Sequence, residues 1–479
     1  MSCIRPWQGH HHGTGGPVAR RRSAAAGRRP VRRDGLNRQI LALAVPAFGA
    51  LIAEPLFLLA DTVIVSHLGT DPLAGVALAS AVIQTAVGLM VFLAYSTTPA
   101  VAKHVGAGRM AQALAVGRDG LWLGAVLGVL LAGLGAAVGR PLLSATGGSG
   151  QVLEQAVTYL HWSLIGIPAM LLVTAGMGVL RGLQDTRTPL VIAMSGAVFN
   201  VGANVALVYG AGMGVAGAAL GTSITQWLMA FTFMVLLARK AAHHDVGVGT
   251  TARRLTALMG VGSWLMLRTV SLRVALMLTV VVVTAQGAHN LAAYQLVMTI
   301  FNVMAYALDA LAIAAQALVG KETGARDLRA PGAAGQEERD QVKQLMRRIL
   351  VFGLWFGVVT GLVVGLVLPW TAPLLTPDAQ VQRLFAAALV VVAVGQPLAS
   401  WVFVLDGVLI GAGDARYLAL AGVINLVVYL PLLLVVHLAS LAQMPGLIWL
   451  WVAYAFGYIG ARAVTLGVRV RGDRWLLNA

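Results

Sequence analysis

Glu54 and Asp61 stand seven residues apart inside an apolar stretch that runs from Ile40 to Leu68. Seven residues is two helical turns, so on a helix both carboxyls project from one face. A carboxyl at bilayer depth is costly to keep without a partner or a task. The chemistry open to it is reversible proton loading, because burial favours the neutral form of an acid and contact with water restores the charge. Asp61 is therefore the candidate coupling residue, with Glu54 beside it. Asp309 and Asp406 are the other acids inside apolar stretches. Arg268 and Arg273 lie in such a stretch too and need partners; Arg268 is expected to pair with Asp309 or Asp406 and hold the second half together, with cavity lining as the rival reading. Asp406 is placed near the end of its stretch, where water would reach it. Asn200 and Asn204, one turn apart, with Thr222, Thr225 and Gln226, form either interhelical hydrogen bonds or a polar lining around Asp61. Pro46 and Pro55 each free a carbonyl in the segment that carries Asp61, which gives that segment two hinges.

The elements that must position these residues are transmembrane helices. The chain has 479 residues, 58% of them hydrophobic and 11% charged, with a mean hydropathy of +0.81, outside the composition of a soluble globular protein. Continuous apolar runs reach the roughly 20 residues a helix needs to cross the hydrocarbon, which excludes the alternating strands of an outer-membrane barrel, and lipid satisfies no open backbone. Runs at about 39–67, 73–102, 120–143, 155–181, 188–210, 214–238, 256–285, 290–319, 348–371, 381–412, 416–438 and 445–467 make twelve spans. Trp162, Trp370 and Trp451, near span ends, are expected to anchor at the interface.

A net charge of +16 does not mean nucleic acid here. Nine of the 34 basic residues fall in the first 38 positions, and most of the others fall in every second loop. That is the positive-inside pattern, with membrane lipid as the basic residues' partner and both termini cytoplasmic. Residues 1–37 are read as a basic disordered tail and 471–479 as a second tail, with a connector at 239–255 between lobes at 38–238 and 256–470. A surface helix from Glu337 to Arg348 is expected within the 320–347 loop. The single cysteine, Cys3, excludes an intramolecular disulfide. His10 to His12 have no ligand set around them, so no metal site is expected.

The halves repeat. Gly178-Val179-Leu180-Arg181-Gly182-Leu183-Gln184-Asp185-Thr186-Arg187 is echoed 229 residues later by Gly407-Val408-Leu409-Ile410-Gly411-Ala412-Gly413-Asp414-Ala415-Arg416, and a weaker echo sets Ala100 to Gly106 against Ala314 to Gly320. Two six-helix bundles related by a pseudo-two-fold along the membrane normal follow, with a substrate cavity expected between them. Asp185 and Asp414 are read as loop caps paired with Arg187 and Arg416. No P-loop, Gly-x-Ser-x-Gly or His-Glu-x-x-His motif is present, so neither ATP hydrolysis nor another enzymatic role is indicated.

Ala60 to Gly69 with Leu73-Ala74, the Leu-Arg-Gly-Leu-Gln-Asp-Thr-Arg stretch from Leu180, and Asp309 through Gln316 to Gly320 resemble the multidrug and toxic compound extrusion (MATE) family, DinF-like branch, over residues 36–470. The resemblance implies a V-shaped twelve-helix antiporter exporting amphipathic, often cationic small molecules against H⁺ or Na⁺, with no cofactor beyond the coupling ion. It makes Asp61 the match of the branch's first-span coupling residue. Where many members read Asn-x-x-x-Asp in the fifth span, this chain reads Asn200-x-x-x-Asn204, so Glu54 becomes the candidate second acid; a seventh-span Glu is missing, which favours protons over Na⁺. Asp309 and Gln316 join Asn200, Asn204, Thr222 and Gln226 as expected cavity lining. The reading is a proton-coupled exporter of drug-like compounds in a bacterial cell membrane, acting as a monomer, with a Na⁺-coupled antiporter and a flippase for lipid-linked precursors as alternatives.

Overall fold

The computed structural model describes residues 33–441, except 327, 329 and 331, and residues 446–477; most of the basic tail at 1–37 thus lies outside the described residues. The first half comprises α1 (Arg33–Ser66), α2 (Thr70–Leu89) followed by α3 (Phe92–Gly106), α4 (Met110–Ala145), α5 (Gly150–Leu164) followed by α6 (Ile167–Gly182), α7 (Arg187–Val205) and α8 (Gly214–Ala242). The second comprises α9 (Ala252–Ala285), α10 (Ala288–Ala325), α11 (Gly332–Leu366), the short α12 (Ala372–Leu375), α13 (Ala379–Gly411), α14 (Ala415–Leu441), α15 (Gly446–Val452) followed by α16 (Ile459–Arg471), and a last turn α17 (Arg474–Leu477). Eleven of the resulting helices are long and apolar enough to span a membrane, and the pair α5–α6, bent by 53°, makes a twelfth.

That bend has a local cause. Pro168 enters the first turn of α6 and has no N–H to give, while a side chain at Gly166 would strike Ser223. Two carbonyls at the break find donors on α8: Trp162 O accepts from Ser223 Oγ at 3.0 Å and Ile165 O from Trp227 Nε1 at 2.9 Å. A broken helix is tolerated in lipid only when its open backbone is satisfied this way.

The lobes are built alike at their centres. In the first, Gly178 and Gly182 of α6 let the backbone of α3 come close at Ala94 and Thr98; in the second, Gly407 and Gly411 of α13 admit α10 at Ala312 and Gln316. These contacts relate the two halves by 229 residues between α6 and α13 but by 218 between α3 and α10. The weaker sequence echo, Ala100 to Gly106 with Ala314 to Gly320, is thus out of register by one helical turn: Lys103 corresponds to Lys321 and Gly106 to Gly324. Small apolar residues ending in Val-Gly recur too often in such helices to fix a register by themselves.

Several further expectations change. Trp370 is 83% exposed, but Trp451 is 2% exposed and packs with Tyr294, Phe301 and Tyr454 at ring separations of 5.6 to 5.9 Å; it is core, not an interfacial anchor. Asp185 accepts from the N–H and hydroxyl of Thr188 at 3.0 and 2.7 Å, and Asp414 pairs with Arg469 at 2.6 Å, so Arg187 and Arg416 are not their partners. Arg416 instead lies over the Trp264 ring. The helix expected at 337–348 is the first part of α11, anchored by Arg326 between Glu322 and Glu338, 2.9 Å from each. Trp475 in the expected carboxy-terminal tail is fully buried, and Asp473 beside it pairs with Arg339 at 3.2 Å and with Lys343. The connector is pinned to α4, with Arg118 Nη1 donating to Gly247 O at 2.6 Å and Trp122 Nε1 to Val248 O at 3.0 Å. Asp378 caps α13; the backbone N–H groups of Val381 and Gln380 hold its carboxyl below the ordinary range.

Asp406 is 6% exposed, not open to water. It pairs with Arg268, whose Nε lies 3.2 Å from Oδ1, and with Arg462 Nη2 at 3.1 Å from Oδ2. Two guanidiniums on one carboxylate tie α9, α13 and α16 together. Removing the shared anion would strand two buried cations: Asp406→Asn is expected to cost about 3 kcal/mol and to lower the thermal midpoint of the purified protein well below that of Arg462→Met, which leaves Arg268 paired.

Candidate functional site

Asp61 is held by a helix secured at both ends. α1 runs unbroken through Pro46 and Pro55. Pro46 cannot donate to the carbonyl of Ala42; Thr186 Oγ1 donates to it instead, at 3.4 Å. Near the other end, the chain after α7 widens into a π turn at Ala206–Gly210, which brings the Tyr209 hydroxyl within 2.5 Å of Ile64 O.

Between these ties Asp61, 4% exposed, is enclosed by neutral donors. Its Oδ1 accepts from Asn204 Nδ2 and its Oδ2 from Thr222 Oγ1 at 3.1 Å. Asn200 Nδ2 donates to Thr222 Oγ1 at 3.0 Å, and Asn204 Nδ2 also reaches Asn200 Oδ1 at 3.3 Å. The four side chains close a ring across α1, α7 and α8. Gly221 makes room for it, since a methyl there would overlap Asn204 Oδ1. Asn200 and Asn204 are fully buried behind Asp61. Among the described residues no cation stands within ion-pair distance of Asp61, whereas Asp406 has two. One atom of the ring is unsatisfied: Asn204 Oδ1 has no donor.

Asp61 opens onto a cavity of about 180 Å³ whose wall includes Glu54, Gln84, Arg181, Thr222 and Gln226. Every lining residue falls between Ala50 and Met229, so this cavity belongs to the first lobe and not to the space between lobes. Glu54 is exposed and meets the charge of Arg273 from α9, whose guanidinium lies against Gly88 at the end of α2.

Asp309 and Gln316 lie elsewhere. Asp309, on α10, stands among Tyr95, Arg181, Arg268 and Arg462; Gln316 is 2% exposed where α10 crosses α13 at Gly411. Sequence reasoning missed Arg181 and Arg462, both buried. Each sits near the end of an apolar run, where an arginine reads as a surface residue; the one available signal was Arg181 inside the Gly-rich motif, whose counterpart in the second half is Ile410.

The MatE family model matches the chain twice, at residues 46–206 and 265–435, one match in each lobe. DNA damage-inducible protein F of Escherichia coli (strain K12) is 32% identical over 381 residues, 78% of this chain and 80% of that protein. The probable multidrug resistance protein NorM of Chromobacterium violaceum is 27% identical, covering 61% of this chain and 65% of that protein. Among solved structures, the Vibrio cholerae MATE transporter VcmN in its bent form superposes with a TM-score of 0.81 at 20% identity, over 92% of this chain and 99% of that one, which establishes the shared two-bundle fold. With both halves matched by the family model and a relative at this identity across most of its length, the chain belongs to the MatE family of multi-pass membrane transporters.

Proposed function

We propose that the protein is a proton-coupled exporter of amphipathic, cationic small molecules, acting as a single chain in a bacterial cell membrane with both termini cytoplasmic. The observation that carries this reading is Asp61: a buried carboxyl at a cavity wall, with neutral donors and no cation. An acid locked to guanidiniums, as Asp406 is, cannot take a proton without stranding cations. Asp61 can. When it is protonated its hydroxyl needs an acceptor, and turning the Asn204 amide presents the orphaned Oδ1 to it. Because Asn204 Nδ2 also donates to Asn200 Oδ1, the Asn200 amide turns with it, and the ring can serve both protonation states by reversing its two amides together.

Charge at the cavity wall then follows the proton. With Glu54 and Asp61 ionised the wall is two charges more negative than with both acids neutral. A cation is held in the first state and expelled in the second, which is the exchange an antiporter needs. The present cavity is smaller than the roughly 300–1,000 Å³ of a site for a drug-sized ligand, so loading requires the lobe to widen. Glu54 is a second proton carrier whose charge Arg273 offsets. The basic loops on the side of the termini support the orientation, and a relative named for multidrug resistance supports export over import.

In proteoliposomes, an imposed pH gradient is expected to drive dye export, and a Na⁺ gradient alone is not. Asp61→Asn should abolish pH-driven export, and Thr222→Val, which removes one donor, should slow it about fivefold. Full export by Asp61→Asn, or equal export under Na⁺ alone, would contradict the reading.

A further inference from the structure

The turn between α6 and α7 and the turn between α13 and α14 have the same backbone. Gln184 and Gly413 occupy the same position in it, at φ 65° and 83°. Gln184 N–H donates to Arg181 O at 3.0 Å and Gly413 N–H to Ile410 O at 2.9 Å; the next residues, Asp185 and Asp414, donate to Leu180 O and Leu409 O at 2.9 and 3.0 Å. The left-handed region is open to glycine and strained for glutamine. The second lobe uses the residue that fits, while the first keeps one that does not, so the Gln184 side chain must do something that glycine cannot.

That side chain crosses to the other lobe. Gln184 Nε2 donates to Ala317 O of α10 at 2.9 Å, and Gln184 Oε1 accepts from Lys321 Nζ at 3.5 Å. The lobes are pressed together at this end. A methyl added at Gly106 would overlap the carbonyl of Lys321, and one at Gly324 would overlap the carbonyl of Lys103, so α3 and α10 meet backbone to backbone in a reciprocal crossing. Two residues beyond Gln184, Thr186 holds Ala42 O, the carbonyl that Pro46 frees in α1. The turn thus touches both the opposite lobe and the helix that carries Asp61. Gly413 has no side chain with which to return the contact, so the bridge is one-sided.

We infer that Gln184 is a positioning residue of the transport cycle: its side chain latches the first lobe to α10 at the end of the molecule that carries the termini, and its release sets how readily the lobes part there. The inference goes beyond the proposed coupling and holds for any transported molecule or driving ion, because it concerns the contact between lobes and not the site at Asp61.

The test removes the bridge without disturbing the turn. Gln184→Gly relieves the strained φ, and Gln184→Asn keeps a residue that tolerates it but is one methylene too short to reach Ala317. Ala102, fully buried and facing Gly320 across the crossing, becomes the reporter as Ala102→Cys in a Cys3→Ser background. Maleimide labelling of the detergent-solubilised protein is followed in time, beside its thermal midpoint. Both variants are expected to label about three- to tenfold faster than their Gln184 parent, the effect of one lost hydrogen bond on an opening equilibrium, with the midpoint unchanged or, for glycine, raised. Labelling at the parental rate in both would overturn the inference. So would faster labelling that appears only with a lowered midpoint, or failure of Gln184→Gly to fold, since either assigns the residue to holding the fold.

Discussion

The constraint on which this molecule turns is the cost of an acid inside a membrane protein, met in two different ways. Asp406 meets it with charge: Arg268 and Arg462 close on it from two helices, and the three side chains act as a buried rivet. Asp61 meets it with dipoles alone, an amide and a hydroxyl backed by a second amide. A buried ion pair fixes one protonation state, because emptying either partner leaves the other uncompensated. A ring of neutral donors does not. The two lobes share their framework, and the difference between a structural acid and the one proposed to carry the coupling proton lies in what surrounds each carboxyl.

The halves have diverged around that difference. Carried over by the 229 residues that relate α6 to α13, Asn200 corresponds to Tyr429, whose hydroxyl meets Thr279 of α9 at 2.9 Å. Around it Tyr294, Phe301, Trp451, Tyr454 and Tyr458 fill the second lobe with rings. The space that is an open cavity with Asp61 at its wall in the first lobe is aromatic core in the second. Duplication supplied two equivalent places; side-chain volume closed one and left Asp61 facing the other.

The helical architecture was legible in the sequence because hydrophobic length and loop charge act over whole segments, and twelve apolar runs match the spans observed. The helix of Asp61 and the polar residues of α7 and α8 were legible for the same reason: a carboxyl and two asparagines at helical spacing in apolar surroundings admit few explanations. What failed was partner choice. Asp185 and Asp414 have an arginine two residues on, yet their contacts are Thr188 and Arg469: the first turn of α7 aims the Thr188 N–H and hydroxyl at Asp185, and α16, distant in sequence, brings Arg469 to Asp414. Asp406 looked close to water because sequence position measures depth along one helix and not what stands in front of it; Arg462 comes from fifty-six residues away. Arg181 and Gln184 were read as parts of a repeat motif, and their roles emerge only where that motif departs from symmetry, at Ile410 and Gly413.

The central claim is that Asp61 exchanges its proton for the transported cation, and proton release on binding tests it most directly. A cationic dye is added to the purified protein in weakly buffered solution, and released protons are counted with a pH indicator. The account predicts that the wild type releases protons in proportion to the dye bound, and that Asp61→Asn releases markedly fewer, Glu54 being the only other acid at the cavity wall. Equal release by the two proteins at equal occupancy would place the coupling proton on another group and contradict the account.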